Sequence, residues 1–262
     1  MGKIKQELAV ALVQANLAQG EVEQNLSNIE LLLADTPAVD LIVLPEMFNT
    51  GFSMDSRANS EVEDGPTTKW MLRIAQQLNA VVCGSLSIKA GDNDFRNRLL
   101  WVTPLGEVQH YDKRHLFRMA GEDKRFTAGN KQLQVELHGW KIRPLICYDL
   151  RFPVWSRDSQ HTDLLLYVAC WPEVRAQAWN TLLAARAIEN QCYVVGVNRV
   201  GADHNNYYHS GDTQALDYLG NRLVYTRDQE NVVITKLKLD ELHNFKSKFP
   251  AYMDADNFVI TP

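Results

Sequence analysis

Three residues in this sequence have types and positions that suit one piece of chemistry: Glu46, Lys113 and Cys147. Each follows closely on a short apolar run. Leu41-Ile42-Val43-Leu44 leads through Pro45 to Glu46, and Glu107-Val108-Gln109-His110-Tyr111 leads to Lys113. Lys141-Ile142-Arg143-Pro144-Leu145-Ile146 delivers Cys147 to the boundary with Tyr148-Asp149-Leu150-Arg151-Phe152-Pro153. A strand end holds a reactive atom rigidly, and the turn after it can aim backbone N–H groups at that atom. A thiol becomes a nucleophile as the thiolate, so it needs a base or a nearby cation at neutral pH. Glu46 could be that base if burial raises its pKa. Lys113 could stabilise the thiolate and then an oxyanion, with the Tyr148 N–H as a second oxyanion donor. Trp171 and Asn198 also sit where apolar runs end.

Each of these residues has a plainer reading. A cysteine is most often a small hydrophobe, and Glu46 could be a solvated carboxylate. Asp112-Lys113-Arg114-His115 could be a solvated face. His110, His115 and His209 could each serve a Cys–His dyad, and no spacing singles one out. Cys83, Cys170 and Cys192 lie among apolar neighbours and read as core residues.

The elements that would position these groups alternate strand and helix. Leu8 to Val13 reads as a buried strand, Glu21 to Ala34 as a helix ended by Asp35-Thr36-Pro37, and Leu41 to Leu44 as a second buried strand. That βαβ order places the strands in a sheet covered by helices. A helix over 65–78 and a strand over 80–88 follow. Asn97–Val102 and Glu107–Tyr111 flank the turn Pro104-Leu105-Gly106. Asn49–Asp64 and Arg114–Asn130 show no period and read as loops, the second a functional one. Strands over 132–137 and 140–146 join at His138-Gly139. Phe152–Ser159 reads as a short helix, Leu164–Ala169 as a buried strand, Arg175–Gln191 as a long helix and Cys192–Val197 as a strand. Strands over 213–218, 223–225 and 232–237 and a helix over 240–245 complete the chain.

The bulk numbers narrow the class. A chain of 262 residues with 45% hydrophobic and 23% charged residues can build one large α/β core without staples. Neither repeat nor linker divides it, so 1–262 reads as a single domain. The net charge of −5 is spread without a basic stripe, which argues against nucleic acid. No apolar run reaches the length of a membrane span, and Gln14 and Asn16 interrupt the first one too early for a signal peptide. The four cysteines form neither C-x-x-C nor a zinc pattern, which suits reduced thiols in a cytoplasm and neither a metal nor a disulfide framework.

Taken in order, Leu44-Pro45-Glu46, Asp112-Lys113-Arg114-His115-Leu116-Phe117 and Ile146-Cys147-Tyr148-Asp149-Leu150-Arg151-Phe152-Pro153 resemble the three signatures of the nitrilase (carbon–nitrogen hydrolase) superfamily. The lysine lies 67 residues after the glutamate, and the cysteine 34 after the lysine. Glu122 with Thr127-Ala128-Gly129, Trp171-Pro172-Glu173, Ala185-Arg186-Ala187-Ile188-Glu189-Asn190, Val197-Asn198-Arg199 and His209-Ser210-Gly211-Asp212 extend the likeness from about Ala9 to about Leu237. The resemblance implies a four-layer α-β-β-α sandwich and a Glu–Lys–Cys triad without metal or organic cofactor. On that pattern Glu46 is the general acid/base, Lys113 the oxyanion stabiliser and Cys147 the nucleophile. Glu122 matches a second glutamate beside the triad. A homodimer or higher homo-oligomer is implied as well.

Within the superfamily, Lys113-Arg114-His115-Leu116-Phe117-Arg118-Met119 with Cys147-Tyr148-Asp149-Leu150-Arg151-Phe152 looks most like the omega-amidase branch. That branch hydrolyses the terminal amide of 2-oxo dicarboxylic acid monoamides such as 2-oxoglutaramate and 2-oxosuccinamate. Such a small-molecule substrate carries a carboxylate, for which an arginine is the natural bidentate partner. Arg151 is the first candidate, since related carbamoylases bind a carboxylate with an arginine at that offset from the cysteine. Arg118 is the second, and Trp171 is a further candidate contact. A structural salt bridge to a buried acid is the other reading of Arg151. Leu150 stands where the carbamoylase pattern has a second arginine, which counts against N-carbamoyl amino acids. Rival expectations are nitrile or N-carbamoyl hydrolysis on the same triad, a non-enzymatic binding protein that keeps the fold, and a redox-sensing thiol protein.

Overall fold

The computed structural model describes residues 4–157 and 162–260. The end of the helix expected over Phe152–Ser159 and the first three residues of the chain lie outside them.

The chain runs β1 (Glu7–Gln14), α1 (Val22–Leu33), β2 (Leu41–Val43), α2 (Ser56–Asn59), α3 (Pro66–Leu78), β3 (Val81–Lys89), β4 (Phe95–Val102) and β5 (Val108–Asp112). It continues through β6 (Val135–Leu137), β7 (Trp140–Ile146), α4 (Pro153–Ser156), β8 (Leu164–Ala169), α5 (Ala176–Asn190) and β9 (Tyr193–Asn198). The last elements are β10 (Val200–Ala202), β11 (Tyr208–Ser210), β12 (Thr213–Leu216), β13 (Arg222–Thr226), β14 (Asn231–Lys238) and α6 (Leu239–Lys248).

Two six-stranded sheets result, ordered β14-β1-β2-β3-β4-β5 and β13-β12-β9-β8-β7-β6. The apolar runs that show no alternation in sequence, β1 to β3 and β7 to β9, are the parallel strands of each sheet. They are buried on both faces, which is why they read as continuous. The strands outside these parallel sets pair antiparallel towards the sheet edges. β1 lies against β9 and β12, and β4 against β7, so the sheets stack face to face.

Helices cover the outer faces. Ile29 and Leu33 of α1 and Trp70, Met71 and Ile74 of α3 pack on Ala11, Val13, Ile42 and Val82 of the first sheet. Trp179, Leu183 and Ala187 of α5 join the core built on the second sheet. Their approach depends on Gly196 in β9, where a Cβ would lie 2.5 Å from Leu183 Cδ1. The order is helix, sheet, sheet, helix: a four-layer α-β-β-α sandwich.

Two segments differ from the reading of the sequence. Arg114–Asn130 contains short 3₁₀ turns at Arg118–Ala120 and Glu122–Lys124, separated by Gly121 at φ +77°. It shows no period because one buried group, Glu122, organises it rather than an apolar face. The hairpin β10–β11 was not expected at all. Each strand has three residues, and the turn is held by Asp203 Oδ1, which accepts N–H bonds from Asn205 (2.8 Å) and Tyr207 (3.0 Å). The signal was present in Asp203-His204-Asn205-Asn206, a run of turn-forming residues between strand-formers.

Candidate active site

Glu46 and Lys113 reach the site from the first sheet and Cys147 from the second. Glu46 lies three residues beyond β2, fully buried, and the next residue, Met47, turns the chain away at φ +45°. Lys113 directly follows β5, and its N–H donates to Asn97 O (2.9 Å) on β4. Cys147 directly follows β7 and sits at φ +44°. A side chain in this left-handed region costs roughly 1–2 kcal/mol. Here it turns the thiol out of the strand, and a 3₁₀ turn over Cys147–Arg151 begins. The first amides of such a turn, that of Tyr148 among them, have no acceptor within it.

Hydrogen bonds join Glu46, Lys113 and Glu122. Lys113 Nζ donates to Glu46 Oε1 (2.8 Å) and to both oxygens of Glu122 (3.0 Å each). Asn97 Nδ2 donates to Glu46 Oε1 (2.8 Å) and Glu122 Oε1 (3.1 Å). The N–H of Cys170 donates to Glu46 Oε2 (2.8 Å), and that of Phe117 to Glu122 Oε2 (2.6 Å). Cys147 lines the same cavity as Glu46 and Lys113, and the Glu46 carboxylate acts on its thiol. Every donor aimed at Glu46 suits an acceptor-only carboxylate.

Burial and charge pull the titrations apart. The Cys147 thiol is pushed well above the usual thiol range, first by burial and then by the Glu46 carboxylate, and Lys113 offsets this only in part. Cys147 therefore rests as a thiol, where the sequence suggested a lysine-stabilised thiolate. Burial alone would pull Lys113 down, but Glu122 and Glu46 outweigh it and hold the ammonium well above the usual lysine range. Glu122 is raised by burial, with Lys113 pulling the other way. Two carboxylates and one ammonium without solvent contact are stable only because Asn97 and the two backbone N–H groups fill the remaining acceptor positions.

Asp149 anchors the nucleophile turn. It is fully buried and accepts from Tyr111 Oη (2.7 Å), the N–H of Ile146 (3.1 Å) and the N–H of His115 (3.0 Å). His115 Nδ1 lies 2.8 Å from Asp149 Oδ1, and its ring stacks on Phe152 at 3.8 Å between centroids. Arg186 of α5 donates to Leu150 O (2.7 Å). One carboxylate thus ties the cysteine turn to the segment that carries Lys113. His115 is committed to that anchor, and His110 stands exposed on β5 beside Glu63. Of its ionisable neighbours, the one that most raises the Cys147 thiol is Glu46, not a histidine.

The thiol opens on a cavity of about 560 Å³. Glu46, Lys113, Cys147, Tyr148, Arg151, Cys170 and Trp171 line it, together with Phe52, Met54, Phe117, Arg175 and Arg199. Asp203, His204, Asn205, Tyr207 and His209, on or beside the β10–β11 hairpin, close one side. The Arg151 guanidinium lies over the Trp171 ring, 4.7 Å from its centroid. Among the described residues no acid forms a salt bridge with Arg151, so the structural-salt-bridge reading falls. Trp171 is fixed by Asn198, whose Oδ1 accepts its N–H (2.7 Å) and whose Nδ2 donates to its carbonyl (2.8 Å). Arg118 corrects the expectation made for it. Its side chain is 85% exposed, reaches Asp123 at 3.4 Å and does not line the cavity. The 3₁₀ turn presents its neighbours Phe117, Met119 and Ala120 instead.

Cys170 was expected to be an ordinary core residue. It packs with the core of the first sheet, yet its N–H and thiol (3.1 Å to Glu46 O) position the glutamate, and it lines the cavity. Asn97, Asp149, Arg175 and Arg199 were also missed. They act through contacts between distant segments, which no local pattern records. Among the described residues, no group of three or more His, Cys, Asp or Glu side chains is placed to hold a metal ion.

Comparison with known proteins places this geometry. The Carbon-nitrogen hydrolase family model matches residues 9–247. The chain is 45% identical to Omega-amidase YafV of Escherichia coli (strain K12), over 96% of this chain and 98% of that protein. It is 30% identical to 2-oxoglutaramate amidase of Bacillus subtilis (strain 168), over 94% and 96% of the two chains. The crystal structure of XC1258 from Xanthomonas campestris, a CN-hydrolase superfamily protein with an arsenic adduct in its active site, superposes with a TM-score of 0.95. That likeness has 43% identity and covers 98% of this chain and 100% of that one. With the sandwich, the ordered signatures and a match over nearly its whole length, the chain belongs to the carbon–nitrogen hydrolase family.

Proposed function

We propose that the protein is an omega-amidase. It hydrolyses the terminal amide of 2-oxo dicarboxylic acid monoamides, 2-oxoglutaramate and 2-oxosuccinamate among them, to the 2-oxo diacid and ammonia. The observation that carries this reading is the cavity itself. A thiol and a buried carboxylate line it with an ammonium, and so does the guanidinium of Arg151, which pairs with no acid among the described residues. A short molecule with an amide at one end and a carboxylate at the other fits that polarity. A 2-ammonium group in place of the 2-oxo group would meet Arg151, Arg175 and Arg199, which disfavours the parent amino acids. The likeness to Omega-amidase YafV and to 2-oxoglutaramate amidase supports the same substrate class.

The cycle follows from the geometry. As Cys147 Sγ attacks the amide carbon, its proton passes to Glu46. Negative charge develops on the amide oxygen and is met by Lys113 Nζ and the Tyr148 N–H. Protonated Glu46 gives its proton to the departing nitrogen, ammonia leaves and a thioester remains. Glu46 then takes a proton from water, the hydroxide adds to the thioester carbon, and the thiol leaves with the proton returned to it. Glu122 does not react. It holds Lys113 through two 3.0 Å contacts and fixes the ammonium relative to Glu46.

Ammonia release from a panel of 2-oxoglutaramate, 2-oxosuccinamate, L-glutamine, a simple nitrile and an N-carbamoyl amino acid tests the reading. The two 2-oxo acid amides should exceed every other compound by at least ~10²-fold in kcat/KM. Faster turnover of the nitrile or the carbamoyl compound would move the assignment to that reaction, and release from none would favour a binding protein.

A further inference from the structure

We infer that Arg175 is a second carboxylate-reading residue of this site and, with Arg151, forms a two-arginine clamp for the 2-oxo acid end of the ligand. The inference rests on the proposed substrate class and deepens it.

Arg175 stands at the N-cap of α5 without a side-chain capping bond. A cation there adds to the positive end of the helix instead of offsetting it, which is unfavourable. Nor does an acid compensate. Among the described residues no carboxylate pairs with Arg175, and the nearby Glu173 is taken by Arg227 at 2.7 Å. The guanidinium lies over the face of Phe117, 5.3 Å from its centroid, and lines the cavity. Its backbone is fixed as well, since Trp171 Nε1 donates to Arg175 O (2.8 Å).

Arg151 has the same environment on another wall, held over Trp171 without an acidic partner. Two guanidiniums on two aromatic faces line one cavity, and neither has a carboxylate partner among the described residues, which leaves them short of negative charge. A 2-oxo carboxylate supplies it with three acceptor oxygens on adjacent carbons, which two planar forks can share. Of the acids on the cavity wall, Glu46 is held by Lys113, Asn97 and Cys170, and Asp203 accepts two N–H groups of its own turn.

Calorimetric titration with 2-oxoglutarate, the product-like dianion, and with pentanamide, a neutral amide, tests this on wild type, Arg175→Gln and Arg175→Lys. The inference requires the Kd for 2-oxoglutarate to rise at least ~10-fold in Arg175→Gln and less in Arg175→Lys, with the response to pentanamide the same in all three. An unchanged Kd for the dianion, an equal weakening of both ligands, or no binding of 2-oxoglutarate to wild type would overturn it. Turnover of 2-oxoglutaramate by wild type is scored separately. A protein that binds the dianion through Arg175 but releases no ammonia would sink the omega-amidase reading and leave the clamp standing.

Discussion

At the residue scale, the site separates proton storage from charge stabilisation. Glu46 shares the cavity with the Cys147 thiol, and Lys113 is held by two carboxylates, so it remains an ammonium through the proposed cycle. Because burial and Glu46 raise the Cys147 thiol, thiolate should be scarce at neutral pH and appear only above the usual thiol range. The ultraviolet thiolate absorbance of wild type minus Cys147→Ser checks this: a flat difference through neutral pH is expected, and a step below pH 7 would contradict it. Glu122→Gln keeps the shape but removes one of the two charges that hold Lys113. The account expects kcat to fall about 10²-fold, with the pH dependence displaced because Lys113 loses support against burial. An unchanged kcat would remove Glu122 from the positioning role. Glu46, Lys113 and Cys147 were legible in sequence because each follows a recognisable apolar run. Asn97 and Cys170, which aim donors at Glu46, were not, since their partners lie 51 and 124 residues away.

At the element scale, strand ends and their turns do the positioning. The left-handed Cys147 and the buried anchor Asp149 fix the nucleophile turn, and Asp149 couples it to the Lys113 segment through His115. The continuous apolar strands and the amphipathic helices were readable because their periods are simple. The β10–β11 hairpin was not, because its three-residue strands carry too few side chains to establish a period. Its His209 is 3% exposed and lowered to about 4, first by burial and then by Arg199. The unfolded chain therefore takes up this proton below about pH 6.5 while the native protein does not until about pH 4. The stability associated with neutral His209 is present above pH 6.5 and is lost as pH falls across that window, in total on the order of 3 kcal/mol. Urea midpoints at several pH values should show a shallower acid decline for His209→Gln than for wild type. Parallel declines would assign the acid sensitivity elsewhere.

At the scale of the whole molecule, neither sheet holds the chemistry alone. Glu46 and Lys113 arrive from the first sheet and Cys147 from the second, and the packed inner faces set their separation. The four layers were legible from strand and helix order, because parallel strands buried on both faces require covers on both sides. The cavity shape was not, since it depends on where unrelated loops meet; that is why Arg118 was expected in a place taken by Arg175. The central claim is that Cys147 and Glu46, brought together from different sheets, form and break a thioester. Its most direct test is mass spectrometry of the protein quenched during turnover of 2-oxoglutaramate. The account predicts an acyl adduct on the peptide containing Cys147, absent in Cys147→Ala together with at least a ~10³-fold loss of ammonia release. Full turnover by Cys147→Ala, or an adduct on another residue, would contradict it.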